Sequence, residues 1–316
     1  MADIIDLKKD SRVCASLRHL VSLKEHSSGF SFLPKHIATS RLAGRHGSKF
    51  RGRGINFEEL RAYRVGDDVK NIDWKVTLKT GSPHIRAYSE EKDHGVILVV
   101  DQTQSMFFSS VDTMKSVVSA EIAALCAWRS LADNDRVGAI AMTEAGHHWF
   151  SPMRGENNTM RMLGSISEAN EALISSENGY DHAEDEKLSN AIEMIFNRGT
   201  RDGVIIFVSD FYNLSSDTLN KLKLLQVKND VLCVQISDPL EVNWAEDMDM
   251  VFSDGNFQIN VSGEEEKISS YFSKEHGRKK VSLSSLLRVK GLPLIELDTS
   301  GDHIKQFITQ LSGVQS

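Results

Sequence analysis

Cysteine is scarce and scattered: Cys14, Cys126 and Cys233 are the only three in 316 residues. With no Cys-x-x-Cys pair, neither a zinc ribbon nor a disulfide framework is indicated, and the odd count fits small buried hydrophobes in a reducing compartment. No apolar run approaches the roughly 18 residues that span a bilayer. The opening Met1-Ala-Asp-Ile-Ile-Asp-Leu-Lys8 lacks the basic start and long apolar core of a secretion signal. A cytoplasmic protein with no direct membrane insertion is expected. The chain also lacks Gly-x4-Gly-Lys-Ser/Thr, His-Glu-x-x-His and Gly-x-Ser-x-Gly, which argues against P-loop nucleotide hydrolysis, a zincin centre and a hydrolase elbow. His147 and His148 are neighbours on an expected strand and face opposite sides, so they do not share a metal easily. No internal repeat or low-complexity tract is present.

Acidic residues outnumber basic ones, 44 to 37, for a net charge of -7. A protein whose whole surface grips nucleic acid is therefore not expected. The charge is uneven: between Arg41 and Arg86 eleven lysines and arginines face five acids, net +6, so the remainder carries -13. Stacking aromatics do not interleave with these cations, which makes the segment a poor nucleic-acid surface. Arg51 and Arg53, flanked by glycines, either present cations to an acidic partner or phosphate or are simply solvated.

Hydrophobic patterning gives the architecture. Val96 to Val100 reads as a strand buried on both faces, as do 136–142, 203–208, 231–236 and 292–297. Helical spacing recurs between them, near 113–132 (with Asp112 as its expected N-cap), 157–173, 186–197, 216–228 and from 301. A shorter strand is expected at 147–150. Alternating strands and helices imply an α/β fold with a doubly wound, mostly parallel, Rossmann-like sheet. Residues 248–252 and 257–261 around Asp254-Gly255-Asn256 read as a small β-hairpin insertion within 240–290, and 264–290 as a polar, helix-rich stretch. The expected division is an appended N-terminal helical and basic segment over 1–95, then the sheet domain over 96–316.

The first strand leaves its apolar run through Asp101-Gln-Thr103-Gln-Ser105. Alternate residues of an extended loop point the same way, so one carboxylate and two hydroxyls can converge on a hard cation such as Mg2+. The same residues serve equally as caps for the following helix. Asp210 ends another buried strand, and ligands of such sheets lie beyond the carboxyl ends of the strands. Asp67, Asp68 and Asp73 could form an acidic cluster of nuclease type, but Arg61, Arg64 and Lys70 stand among them and can neutralise them in a turn.

Residues 51–74, from Arg51-Gly-Arg53-Gly through Gly66-Asp67-Asp68 to Asp73-Trp74, and His84 to Glu91 beyond them, resemble a bacterial family, the domain of unknown function 58 family. Asp101 to Met106, Ser209-Asp210-Phe211 and Asp238-Pro239-Leu240-Glu241 belong to the same likeness, which runs from about residue 40 to the end. The resemblance implies a von Willebrand factor A-like core and a metal-ion-dependent adhesion site holding Mg2+ or Mn2+. Its first loop maps onto Asp101, Thr103 and Ser105, and its third onto Asp210. In the second loop Glu186 falls where Thr is expected and Lys187 where Asp is usual, so the cation is weakly held or replaced, Lys187 being one candidate replacement. The resemblance further implies a non-enzymatic interaction module, an adaptor for a MoxR-type AAA+ ATPase with other von Willebrand A-like proteins as further partners. Arg51, Arg53, Arg61, Asp67 and Asp68 would supply a second contact surface. The enzymatic alternative is a haloacid-dehalogenase-like phosphotransferase with Asp101 as nucleophile.

Overall fold

Apolar side chains alternate between two faces along each central strand, and that alternation organises the structure. A computed structural model describes residues 8–30, 56–64, 67–89, 95–175, 184–212, 214–242, 250–253, 258–261 and 291–312. The chain divides into two compact units, Met1–Ser40 with His94–Ser316, and Arg41–Asp93.

Among the described residues the N-terminal segment carries the short helix α1 (Leu17–Ser22), started by Ser16, whose hydroxyl accepts from the His19 amide, and a 3-10 turn, Leu23–Gly29, directly after it. Ala15 donates its amide to Asn170 Oδ1 at 2.8 Å and accepts from the Ser167 hydroxyl at 2.8 Å. The Trp128 indole donates to the Leu20 carbonyl at 2.9 Å. These buried bonds tie Ala15 and Leu20 to the larger unit, with which residues 1–40 are grouped.

In the smaller unit β1 (Asn56–Ala62) pairs antiparallel with β2 (His84–Ser89), and α2 (Trp74–Thr80) lies between them in sequence. Asp73 caps α2 by accepting from the amides of Lys75 and Val76. Gly81, at φ 73°, ends the helix in the left-handed conformation that favours glycine.

The larger unit continues with β3 (Gly95–Gln102), α3 (Lys115–Ala132), β4 (Arg136–Thr143), β5 (Gly146–Met153), α4 (Glu156–Leu173), α5 (Glu184–Asn197), β6 (Val204–Ser209), α6 (Ser216–Gln226), β7 (Asp230–Ser237) and α7 (Pro239–Val242). A hairpin of β8 (Met250–Ser253) and β9 (Gln258–Val261) follows, then β10 (Leu294–Asp298) and α8 (His303–Ser312). Six strands form one sheet in the order β10-β7-β6-β3-β4-β5, parallel except for β5. This is the α/β, mostly parallel sheet expected from the sequence, and the paired β8 and β9 are its small insertion. The turn at 254–257 and the stretch 264–290 lie outside the described residues.

Val96, Leu98 and Val100 of β3 join Ile206 and Val208 of β6 beneath α3, whereas Ile97, Val99, Ile205 and Phe207 pack against α5 and α6. Burying an aliphatic or aromatic side chain of this size contributes about 1.5–3 kcal/mol. The sheet covers one side of α3, and α1, α4 and α8 cover the other, so nearly all its side chains are buried. Helix α3 begins at Lys115 with no side-chain cap from Met114, and the expected cap Asp112 instead accepts from the Thr113 hydroxyl at 2.8 Å. Gly138 is required where β5 shifts register: a Cβ there would lie 2.4 Å from the Phe150 carbonyl oxygen. Among the described residues no helix is long and apolar enough to cross a membrane.

Candidate functional site at the carboxyl edge of the sheet

Strand β3 has β4 on one side and β6 on the other, so the chain winds away from it in both directions. The loops leaving β3 and β6 separate at this switch point and open a crevice, where open α/β sheets bind ligands. Asp101 is the last residue but one of β3 and Asp210 follows β6 directly. Four loops meet here, adding those after β7 and β10.

The first loop closes on itself. Asp101 Oδ1 accepts from the Thr103 hydroxyl at 2.6 Å and the Thr103 amide at 3.1 Å, and Oδ2 accepts from the Ser209 hydroxyl at 2.6 Å. Thr103 Oγ1 stands 3.1 Å from Ser105 Oγ. All four side chains are buried. Burial and the nearby Asp210 charge push the Asp101 carboxyl up to about 6, against the lowering effect of the Ser209 and Thr103 hydrogen bonds. The expected quartet Asp101, Thr103, Ser105 and Asp210 is thus brought together.

A cation already stands beside it. Lys115 Nζ lies 2.8 Å from Asp210 Oδ2 and 2.8 Å from Glu241 Oε1, with the side chain only 3% exposed. Burial alone would lower the lysine, but the two carboxylates outweigh it and raise it above its ordinary value. The other Asp210 oxygen accepts from the Tyr212 amide at 3.0 Å. Phe211, between them, holds φ 52° although bulky, a strained conformation kept by its burial in the core and by its amide bond to Ser209 Oγ at 3.1 Å.

These donors do not fit a Mg2+ centre. Mg2+ demands near-octahedral oxygens at roughly 2.0–2.1 Å. Here every carboxylate oxygen of Asp101 and Asp210 already accepts a hydrogen bond or ion pair, and Lys115 would repel a neighbouring dication. The second-loop positions Glu186 and Lys187 supply no donor either. Glu186 is exposed, and Lys187 pairs with Glu144, whose other oxygen accepts from the Gln104 amide at 2.7 Å. Among the described residues no group of three or more His, Cys, Asp or Glu side chains could hold a metal. The lysine beside Asp210 is Lys115, from the first loop's own helix, and not Lys187.

The other expected contact residues divide. Arg61 meets Asp67 through two hydrogen bonds of 2.8 and 2.7 Å, and Asp68 caps the short 3-10 turn Val69–Asn71 by accepting from the Lys70 amide. Both acids therefore hold turns, the structural alternative weighed for them. Arg51 and Arg53 lie outside the described residues.

The sequence profile described as Protein of unknown function DUF58 matches residues 59–281. The chain belongs to this family. Uncharacterized proteins of Mycobacterium tuberculosis and Mycobacterium bovis are 24% identical to it over 306 residues, which cover 95% of this chain and 89% of the relatives. Among solved structures, BatB from Bacteroides thetaiotaomicron matches with a TM-score of 0.38 at 17% identity, over 70% of this chain and 98% of that one. An aerotolerance-related membrane protein from Bacteroides fragilis matches with a TM-score of 0.37 at 16% identity, over 70% and 100%. At these scores neither structure bears on function.

In this DUF58 chain the Asp238-Pro239-Leu240-Glu241 stretch has a structural role that spacing did not reveal. Asp238, fully buried, accepts from the Ser110 amide at 2.8 Å, the Ser110 hydroxyl, the Thr299 hydroxyl at 2.6 Å and the Leu240 amide at 2.9 Å. Burial would raise its carboxyl, but these bonds hold it below the usual range. One residue thus ties the β3, β7 and β10 exits together, and three residues later Glu241 reaches Lys115. The missed signal for Lys115 was composition: from 115 to 130 α3 has only Lys115, Glu121 and Arg129 as charges, too few for a helix with a solvated face.

Proposed function

We propose that this chain is a non-enzymatic, von Willebrand A-like interaction module that meets a protein partner at the carboxyl edge of its sheet. The observation that carries this reading is the convergence of Asp101, Thr103, Ser105, Ser209, Asp210, Lys115 and Glu241 at the switch point. The single antiparallel edge strand β5 beside an otherwise parallel sheet supports a von Willebrand A-like core. The partner implied by the family resemblance is a MoxR-type AAA+ ATPase. The phosphotransferase alternative is weaker because both oxygens of Asp101 are buried and engaged, so neither is presented for attack.

The test is direct binding of the purified chain to a MoxR-type ATPase from the same genome, read by interferometry. Val111 is 60% exposed on the loop between Ser105 and Lys115, so Val111→Asp alters the rim without touching the buried cluster. Wild type should bind and Val111→Asp should bind at least about tenfold more weakly, because the new carboxylate must be desolvated in the contact without a partner. Absent binding, or equal binding by the two, overturns the reading. Phosphate release from p-nitrophenyl phosphate that vanishes in Asp101→Asn would favour the enzyme instead.

A further inference from the structure

An adhesion site of the metal-dependent kind recruits a dication from solvent to neutralise its carboxylates and bridge to a partner. In this chain the carboxylates Asp210 and Glu241 converge on Nζ of a lysine, 2.8 Å from each. Lys115 is built in rather than opportunistic. It occupies the first residue of α3, its amide donates to the Phe108 carbonyl at 3.0 Å, and its Nζ lies 5.9 Å from the Phe108 ring centroid. Asp238 fixes the same loop by accepting from the Ser110 amide, and its own backbone amide donates to Glu241 Oε2 at 2.9 Å, so one residue holds both sides of the ion pair.

We infer that Lys115 is the resident cation of the carboxyl-edge site: partner contact at this edge is independent of divalent metal, and the site accepts Mg2+ or Mn2+ only when the ammonium is removed. The inference deepens the interaction reading and rests on it for the statement about partner contact; the statement about metal stands alone. Removing the ammonium frees Oδ2 of Asp210 and Oε1 of Glu241, the two carboxylate oxygens that Lys115 holds at 2.8 Å each, and hard cations take carboxylate oxygens together with water.

The experiment is Mn2+ titration of the full chain, followed by the paramagnetic resonance signal of free Mn2+. Wild type should leave the signal undiminished up to about 1 mM, the weak end of protein sites for hard cations. Lys115→Met should take up one Mn2+ with a Kd at or below about 1 mM, and millimolar Mg2+ should raise its Tm while leaving that of wild type unchanged. Uptake of one Mn2+ by wild type that disappears in Asp210→Asn overturns the inference, and so does a folded Lys115→Met that takes up none. Should Lys115→Met fail to fold, Lys115→Gln, which keeps a hydrogen-bond donor for Asp210, replaces it under the same two criteria. Affinity of wild type for the ATPase should be equal in EDTA and in Mg2+; a tenfold loss in EDTA overturns the inference. If the ATPase does not bind at all, the interaction reading fails, and the Mn2+ titration still decides the role of Lys115.

Discussion

Glu121→Gln should destabilise the larger unit by about 3 kcal/mol near pH 6 and flatten its pH dependence. Glu121 lies in the middle of α3 and is 6% exposed; its two oxygens accept from His19 Nε2 at 2.7 Å and His303 Nε2 at 2.6 Å. The carboxylate therefore clasps α1 and α8, near opposite ends of the chain, to the central helix. A glutamine offers one acceptor and one donor group, so one histidine N–H loses its acceptor. His303 cannot easily turn its other nitrogen to compensate, because Nδ1 is itself buried without a partner among the described residues. A buried donor left unsatisfied costs about 1–3 kcal/mol, and loss of charge on the remaining bond adds about 1 kcal/mol. For a unit of this size that corresponds to a fall of roughly 6–12 °C in Tm.

The sign of the pH dependence follows from the shifts. Hydrogen bonding to Glu121 raises His19 above 6.5, so its contribution is complete below pH 6.5 and fades as pH rises through the raised value. Burial would raise Glu121, but the two histidines hold it below 4.5, so its contribution is complete above pH 4.5 and is lost only at lower pH. The clasp is thus strongest between about pH 4.5 and 6.5 and weakens toward pH 8. Asp101, raised to about 6, also favours the folded state as pH falls, but equally in both proteins, so the difference between them isolates the clasp. Differential scanning calorimetry at pH 5.5, 6.5, 7.5 and 8.5 reads it. A loss under about 1 kcal/mol at pH 6, or parallel Tm curves for wild type and Glu121→Gln, would refute the reasoning.

Further outcomes follow from single contacts. Lys115→Met strands Asp210, whose side chain is 7% exposed, while Glu241 at 31% can rehydrate, so thermal unfolding in EDTA should show a loss of about 3 kcal/mol, the lower end for breaking a buried pair. Asp238→Ala removes the acceptor from four donors on three loops and should cost about 3 kcal/mol or more by urea denaturation, with Asp238→Asn intermediate. Gly138→Ala forces a methyl against the β5 backbone and should cost about 2–4 kcal/mol by the same measurement, whereas Gly146→Ala, with open space around it, should cost less despite its φ of 131°.

The sheet was legible because its strands are short continuous apolar runs separated by helical periods, a pattern that depends on neighbours in sequence. The placement of Asp101 and Asp210 followed from the same pattern, since both end such runs. What spacing cannot encode is a pair such as Lys115 with Asp210, 95 residues apart, or His303 with Glu121, 182 apart. Helical spacing over 113–132 carries no sign of which partners Lys115 and Glu121 take, yet α3 is covered all round and each of these buried charges needs one from elsewhere. The second loop was misjudged for a related reason: Lys187 was weighed as the replacement cation, but Glu144 at the end of β4 takes it instead. The six residues of α1 are too few to display a helical period, and its place on α3 and α4 rests on backbone bonds to Asn170 and Ser167 that no local pattern announces.

Hydrogen exchange of the chain, alone and bound to a MoxR-type ATPase, tests the central claim most directly. The account predicts slowed exchange in the loops at 103–114, 210–215 and 238–242, which meet at the carboxyl edge, with the strands β3 and β6 unchanged. Protection confined to other surfaces, with those three loops exchanging as in the free chain, would contradict it.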